Sequence, residues 1–344
     1  MKNRLIKISE KRISQHCFVL VMIMIIISSC EKEEIAISAH EKGDITTVSV
    51  ELEPDYRYQV FYDLESNTEV SRTLKTEWDL GFEASTNGYH VILNSSKAMQ
   101  AYNSGTTNFA SVTTTPTIGW TWDEPNGSMD STAIGEWADL SSGSLVSHNM
   151  VYVIDLGYNY LGTHLGYKKL VIEGLDANGY TIRYADLNGA NESTFAITKD
   201  PTYNFSFFSF SDGGKMAIIE PPKEDWDLIF TQYTHVFYDD PEPSFYLVTG
   251  VLQNRNNTLA NIDTIIGFPT FTYDDVAPLL LKKSSNSIGY TWKKYDYDAG
   301  SYTIYSDKNY VIQDEQGFYY KLHFIDFYNA SGEKGTPTFE YQKL

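Results

Sequence analysis

The feature that most constrains this chain is a block it contains twice. Glu77-Trp78-Asp79-Leu80-Gly81-Phe82 returns as Asp225-Trp226-Asp227-Leu228-Ile229-Phe230. Further matches follow each copy in the same order. Ile118-Gly119-Trp120-Thr121-Trp122 is echoed by Ile288-Gly289-Tyr290-Thr291-Trp292, and Tyr152-Val153-Ile154 by Tyr310-Val311-Ile312. Gly166-Tyr167-Lys168-Lys169-Leu170-Val171-Ile172 is echoed by Gly317-Phe318-Tyr319-Tyr320-Lys321-Leu322-His323-Phe324. The period is far too long for a solenoid repeat. It predicts a domain-sized unit in tandem, a first β repeat over residues 46–204 and a second over 205–344.

Within each copy the periodicity is that of strands. Val48-Ser49-Val50-Glu51-Leu52 alternates apolar with polar, and Tyr58–Leu64, Tyr89–Leu93, Tyr167–Ile172, Tyr180–Tyr184 and Tyr319–Tyr328 are short aromatic or β-branched runs bounded by turn residues. Gly174-Leu175-Asp176-Ala177-Asn178-Gly179 reads as a hairpin connection. Helical periodicity is confined to Ser95–Tyr102 and Asp274–Lys282. The fold class is therefore mostly β, antiparallel, with few short helices. Aromatic residues make up 15% of the chain, with 26 tyrosines, enough to build a core and to offer ring surfaces.

The N-terminus carries an address. Lys2, Arg4, Lys7, Lys11 and Arg12 precede an apolar run from Phe18 to Ile27, too short to span a bilayer comfortably. It ends in Ile27-Ser28-Ser29-Cys30, which resembles a bacterial lipobox. This predicts a lipoprotein signal peptide over residues 1–29, lipidation of Cys30 and a tether over 30–45. Cys17 is the only other cysteine, so the mature chain has no disulfide to lean on. Glu31-Lys32-Glu33-Glu34, directly behind the cysteine, resembles the surface-export signal of Bacteroidota lipoproteins. The expected location is the outer membrane, lipid-anchored and facing outward. A net charge of −19 repels phosphate backbones and excludes nucleic acid as a partner.

The Trp-Asp-Leu-x-Phe block, the Ile-Gly-Trp/Tyr-x-Trp block and the closing pattern from Tyr310 to Tyr341 resemble the HmuY-like family, haem-binding surface lipoproteins of Bacteroidota. The resemblance covers most of the chain after Val48. It implies an all-β fold made of two HmuY-like units, a non-enzymatic role in capturing haem or a related tetrapyrrole, and delivery to a TonB-dependent outer-membrane receptor. The family holds iron through axial His or Met side chains, but no motif here assigns them.

Ligands must then be sought by chemistry. Haem needs imidazole or thioether donors and a flat apolar slot. His40 falls in the tether, His90 reads as a hydrogen-bonded structural residue and His323 as solvent-facing. His148, His164 and His235 remain as axial candidates, with Met150 or Met129 as thioether alternatives. Trp120, Trp122, Trp137 and Tyr160 are the candidate pocket aromatics. There is no His-Glu-x-x-His, Gly-x-Ser-x-Gly or P-loop, so no catalytic residue and no metal beyond haem iron is expected. The same anchor and rings would also serve a surface glycan-binding lipoprotein that stacks sugars on tryptophan and tyrosine.

Overall fold

The computed structural model describes residues 42–139, 145–238 and 243–344. The expected signal peptide, Cys30, His40 and most of the tether lie outside the described residues. Among the described residues the secondary structure is antiparallel strand interrupted by five 3-10 turns. No described helix is long and apolar enough to cross a membrane. The two expected helices shrink to single turns, Ser95–Lys97 and Tyr273–Asp275. The first is capped by the Asn94 side chain and ended by Ala98 in a left-handed conformation, and the chain then enters the strand Gln100–Asn103.

Four sheets form two packed pairs. One pair joins the five strands Ser193–Thr198, Gly179–Ala185, Tyr167–Asp176, Tyr152–Asp155 and Gln100–Asn103 to the four strands Lys215–Ala217, Phe205–Ser209, Leu80–Glu83 and Val91–Leu93. The other joins Thr46–Ser49, Lys334–Lys343, Tyr319–Tyr328, Asn309–Gln313 and Leu259–Asp263 to Ser244–Gln253, Leu228–Phe237, Tyr58–Asp63 and Thr68–Leu74. Alternation decides which face is buried. In Gly179–Ala185, Tyr180, Ile182 and Tyr184 point into the first core while Thr181 and Arg183 face out. In the second core Trp292 stacks on Phe324 with ring centroids 4.0 Å apart.

The two Trp-Asp blocks share their hydrogen bonds in detail. Asn94 Nδ2 donates to the carbonyls of Lys75 and Trp78, and Asn254 Nδ2 to those of Lys223 and Trp226. Lys169 Nζ donates to the Phe109 and Val112 carbonyls, and Lys321 Nζ to those of Phe268 and Phe271. Each buried lysine thereby ties a loop to a central strand.

The sheets nevertheless cut across the boundary expected between residues 204 and 205. The Asp79 amide donates to Phe208 and the Asp227 amide to Tyr62. Each block thus pairs with the strand that leads into the other: Leu80–Glu83 with Phe205–Ser209, and Leu228–Phe237 with Tyr58–Asp63. The N-terminal strand Thr46–Ser49 pairs with Lys334–Lys343. One sheet pair is therefore built from residues of about 75–217, and the other from both ends of the described chain.

A second correction concerns the tryptophans. Trp122 does not occupy the place of Trp292. Ala101 bridges Thr121, whereas the corresponding Ala260 bridges Lys282, not Thr291. The fully buried Trp292 matches Trp137, which is 1% exposed and donates its indole N–H to the Tyr89 carbonyl at 2.7 Å. The true echo is Ile134-Gly135-Glu136-Trp137 against Ile288-Gly289-Tyr290-Thr291-Trp292, both with a buried Ile and a Gly at positive φ. The copies differ there by one residue, which hid the match.

Candidate functional site

The long hairpin Leu228–Phe237 and Ser244–Gln253 carries the most distinctive histidine. His235 pairs in register with Tyr246 near the outer end. Strand alternation puts its ring on the same side as that of Phe237, 4.8 Å away and nearly perpendicular, and Tyr290 closes in at 5.0 Å. The His235 Nδ1 is buried without a hydrogen-bond partner, and among the described residues Nε2 has none either. Burial lowers its pKa, with Glu124 opposing weakly through its charge. The ring is thus a neutral imidazole with an uncommitted lone pair. The exposed rings of Phe237 and of Tyr246, its cross-strand partner, lie on its face of the hairpin, whereas Phe245 pairs with Val236 and lies on the other. Trp122 faces Phe245 at 5.7 Å, and the Tyr238 hydroxyl donates to Glu124.

The other candidates are placed elsewhere, and His164 is already engaged. His164 Nε2 contacts Asp155 Oδ1 at 2.8 Å and its Nδ1 accepts from the Gly166 amide, so both nitrogens are occupied. It belongs to an aromatic group in which Trp120 stacks on Tyr167 at 6.1 Å. Tyr160 lies under the Arg57 guanidinium. His148 is exposed just after the strand Val146–Ser147, and Met150 is half-buried against the first core. Met129 Sδ is 3.9 Å from Arg255 Nη1. Trp137 is a residue of the first core and does not line the cavity described below. His90 is held by Glu83 at 2.7 Å. His323 is not solvent-facing: it stacks on Phe268 at 4.0 Å, with Nε2 against Glu340 and Nδ1 against the Ser306 carbonyl. The bulge at residue 325 and the loop pinned by Lys321 cover its face of the sheet. None of the rings beside His235 was among the pocket aromatics expected from sequence; Tyr246 comes there through hairpin register and Tyr290 from the segment ahead of Trp292.

A second concave feature lies where the two sheet pairs meet. A cavity of about 120 Å³ is walled by Trp78, Trp226, Phe61, Phe205 and Phe207. Phe61 meets Trp226 edge-on at 4.9 Å and Phe207 meets Trp78 at 4.7 Å, an approximate twofold arrangement. Its polar end carries Asp123, Glu124, Glu220 and Arg255. Glu220 is 5% exposed and accepts from the Phe205 amide at 2.8 Å; burial pushes its carboxyl up to about 7. Asp123 accepts from the Leu93 and Ala133 amides, both at 2.7 Å, and desolvation raises it to about 6. The Asp123 residue is only half-buried, so water screens part of that effect and Glu220 carries more weight. Sequence inspection missed this cavity, although its two tryptophans are those of the repeated block. Among the described residues no group of three His, Cys, Asp or Glu side chains is placed to hold a metal ion.

Comparison with known proteins places these features. The HmuY protein family model matches residues 55–341. No curated protein matches the chain. Solved structures with similarity include a protein of Bacteroides vulgatus described as HmuY-like and heme-binding, with 13% identity over 88% of this chain and 94% of that one and a TM-score of 0.23. Apo PinO, from an organism given as Porphyromonas gingivitis, shows 9% identity over 88% and 97%, with a TM-score of 0.28. The apo HmuY analogue of Tannerella forsythia shows 10% over 88% and 98%, with a TM-score of 0.23. Backbones with such scores do not superpose closely, so the assignment comes from the sequence family alone. With a match that runs from Asp55 to Tyr341, the chain belongs to the HmuY family.

Proposed function

We propose that the protein is a non-enzymatic haem-binding lipoprotein of the outer membrane, displayed at the cell surface, with His235 as an axial donor. The observation that carries this reading is the unbonded imidazole of His235 within a group of partly exposed rings. Haem, when bound, supplies an iron that takes an imidazole nitrogen and a broad apolar face. The residues present fit that demand on the donor side. His235 is kept neutral by burial, so its lone pair needs no deprotonation at neutral pH. Phe237, Tyr246 and Tyr290 offer apolar surface on its face of the hairpin and limit access of water. His164 is the weaker donor because both of its nitrogens are committed, and His148 and Met150 lie outside this group of rings. Delivery to a TonB-dependent receptor and attachment through Cys30 complete the reading; both are supported by the sequence resemblance.

Titrating purified protein with hemin and following the Soret band tests it. A saturable shift in wild type, lost in His235→Ala and retained in His164→Ala, is the expected result. Wild-type protein that leaves the hemin spectrum unchanged, or a His235→Ala variant with the wild-type spectrum, overturns the assignment.

A further inference from the structure

The cavity between the two Trp-Asp blocks is separate from the His235 ring and is not needed for haem. Its volume, about 120 Å³, is close to the ~150 Å³ apolar cavity that holds a benzene ring. A macrocycle does not fit there; a ligand of a few heavy atoms does.

We infer that this cavity binds a small organic ammonium ion that also carries a hydroxyl group. Three independent features point to that chemistry. The walls are aromatic faces and edges, Trp78, Trp226, Phe61 and Phe207, and such rings attract alkylated cations through their quadrupoles. The charged lining is unbalanced, with Asp123, Glu124 and Glu220 against Arg255 alone. Arg255 does not form a close ion pair with any of them. Its guanidinium donates to the Gly127 carbonyl and lies 5.3 Å from the Phe205 ring centroid. A ligand cation would therefore restore neutrality at the carboxyl end.

The third feature is a broken symmetry. Trp78 Nε1 points to Gln59 Oε1 at 3.5 Å. The hydrogen bonds of Asp79 and Asp227 place Phe205 where Gln59 stands in the other half. Trp226 has thus lost its acceptor, and its Nε1 is buried without a partner, the residue being 7% exposed. A ligand oxygen would supply the missing acceptor, relieving a buried unsatisfied donor. The other titratable groups that face this end are Tyr233, which lines the cavity, and Lys75, which reaches it only through Gln232.

Binding also has a sign in pH. A cation beside Glu220 favours its charged form, so affinity rises as pH increases through about 7. The inference does not depend on haem binding, and His235→Ala should leave it untouched.

Choline is the probe. Its uncharged carbon isostere, 3,3-dimethylbutan-1-ol, and tetramethylammonium, which lacks the hydroxyl, are the controls. Tryptophan fluorescence and calorimetry on purified protein should show saturable choline binding, about tenfold or more tighter than the isostere. Glu220→Gln should bring choline and the isostere within about twofold of each other. Trp226→Phe should keep the charge preference and lose the preference for choline over tetramethylammonium. Equal binding of choline and the isostere to wild type overturns the inference, as does a crystal soaked in choline that shows only water in the cavity. Choline binding unchanged in a folded Glu220→Gln variant overturns it as well.

Discussion

The two copies of one aspartate show how a single residue's environment sets its chemistry. Asp79 is ion-paired with the buried Lys97 and accepts from the Phe210 amide. Asp227 accepts from the Leu64 amide at 2.9 Å in the same way but has no lysine, because the second copy is one residue shorter there: Asn256 matches Ser96, Asn257 matches the left-handed Ala98, and Lys97 has no counterpart. Burial, with Asp63 and Asp314 nearby, pushes its carboxyl up to about 8. Asp227, Glu220 and Asp123 all hold protons in the fold that the unfolded chain has released. Because their folded pKa values are raised, their contribution is complete below about pH 4 and is lost as pH rises through 6 to 8. Urea midpoints should therefore fall between about pH 5.5 and pH 8.5. Asp227→Asn, which keeps an acceptor for the Leu64 amide, should flatten that slope; an unchanged slope would remove Asp227 as its cause. The choice of His235 over His164 is likewise made by two contacts, Asp155 on one nitrogen and the Gly166 amide on the other. Sequence placed both in aromatic surroundings, but a hydrogen-bond partner nine residues away along a folded loop is not written in local pattern.

At the scale of elements, strands were legible and their connections were not. Tyr319–Tyr328 and Tyr58–Asp63 occupy nearly the residues that alternation marked. Pairing was illegible because Tyr58–Asp63 and Phe205–Ser209 are both aromatic runs ahead of a Trp-Asp block, and only packing decides which block each joins. The paired lysines were visible as a repeated Tyr-Lys-Leu or Lys-Lys-Leu pattern, yet a lysine on a strand reads as an outward residue. In the fold Lys321 is fully buried, and its ammonium group holds the Phe268 and Phe271 carbonyls. Lys321→Ala should destabilise the protein by about 2–4 kcal/mol, since it leaves both carbonyls buried and unpaired. Lys169→Ala should cost a similar amount in the first copy. Denaturant titration with an unchanged m-value would register either loss; a change under about 0.5 kcal/mol would show that water replaces the ammonium group.

For the whole molecule, the exchange of lead-in strands predicts which fragments stand alone. A fragment of residues 75–217 keeps Leu80–Glu83 with Phe205–Ser209 and one complete core. A fragment cut at the expected boundary, 46–204, loses Phe205–Ser209 and leaves Tyr58–Asp63 paired with Thr68–Leu74 but without Leu228–Phe237 and the second core. The first should give dispersed amide NMR signals and a cooperative melt, and the second should not. Two equally folded fragments would mean that the exchange contributes little to the fold. The cavity at the meeting of the two sheet pairs also belongs to this scale, because its walls come from both halves and no local motif could have disclosed it.

The pairing of Thr46–Ser49 with Lys334–Lys343 has a mechanical consequence. Whatever pulls on the segment before Thr46 loads the last long strand through a short antiparallel ladder, with Gly43 joining it through the Lys343 carbonyl. A tug from that side is therefore met at the seam where the two extremities of the domain are stitched together, and the first stitches to give would part Thr46 and Val48 from Tyr341 and Phe339, which stay paired with Leu322 and Phe324. In a force-spectroscopy trace, handles fixed ahead of residue 42 and after Leu344 should register that seam as the earliest peak.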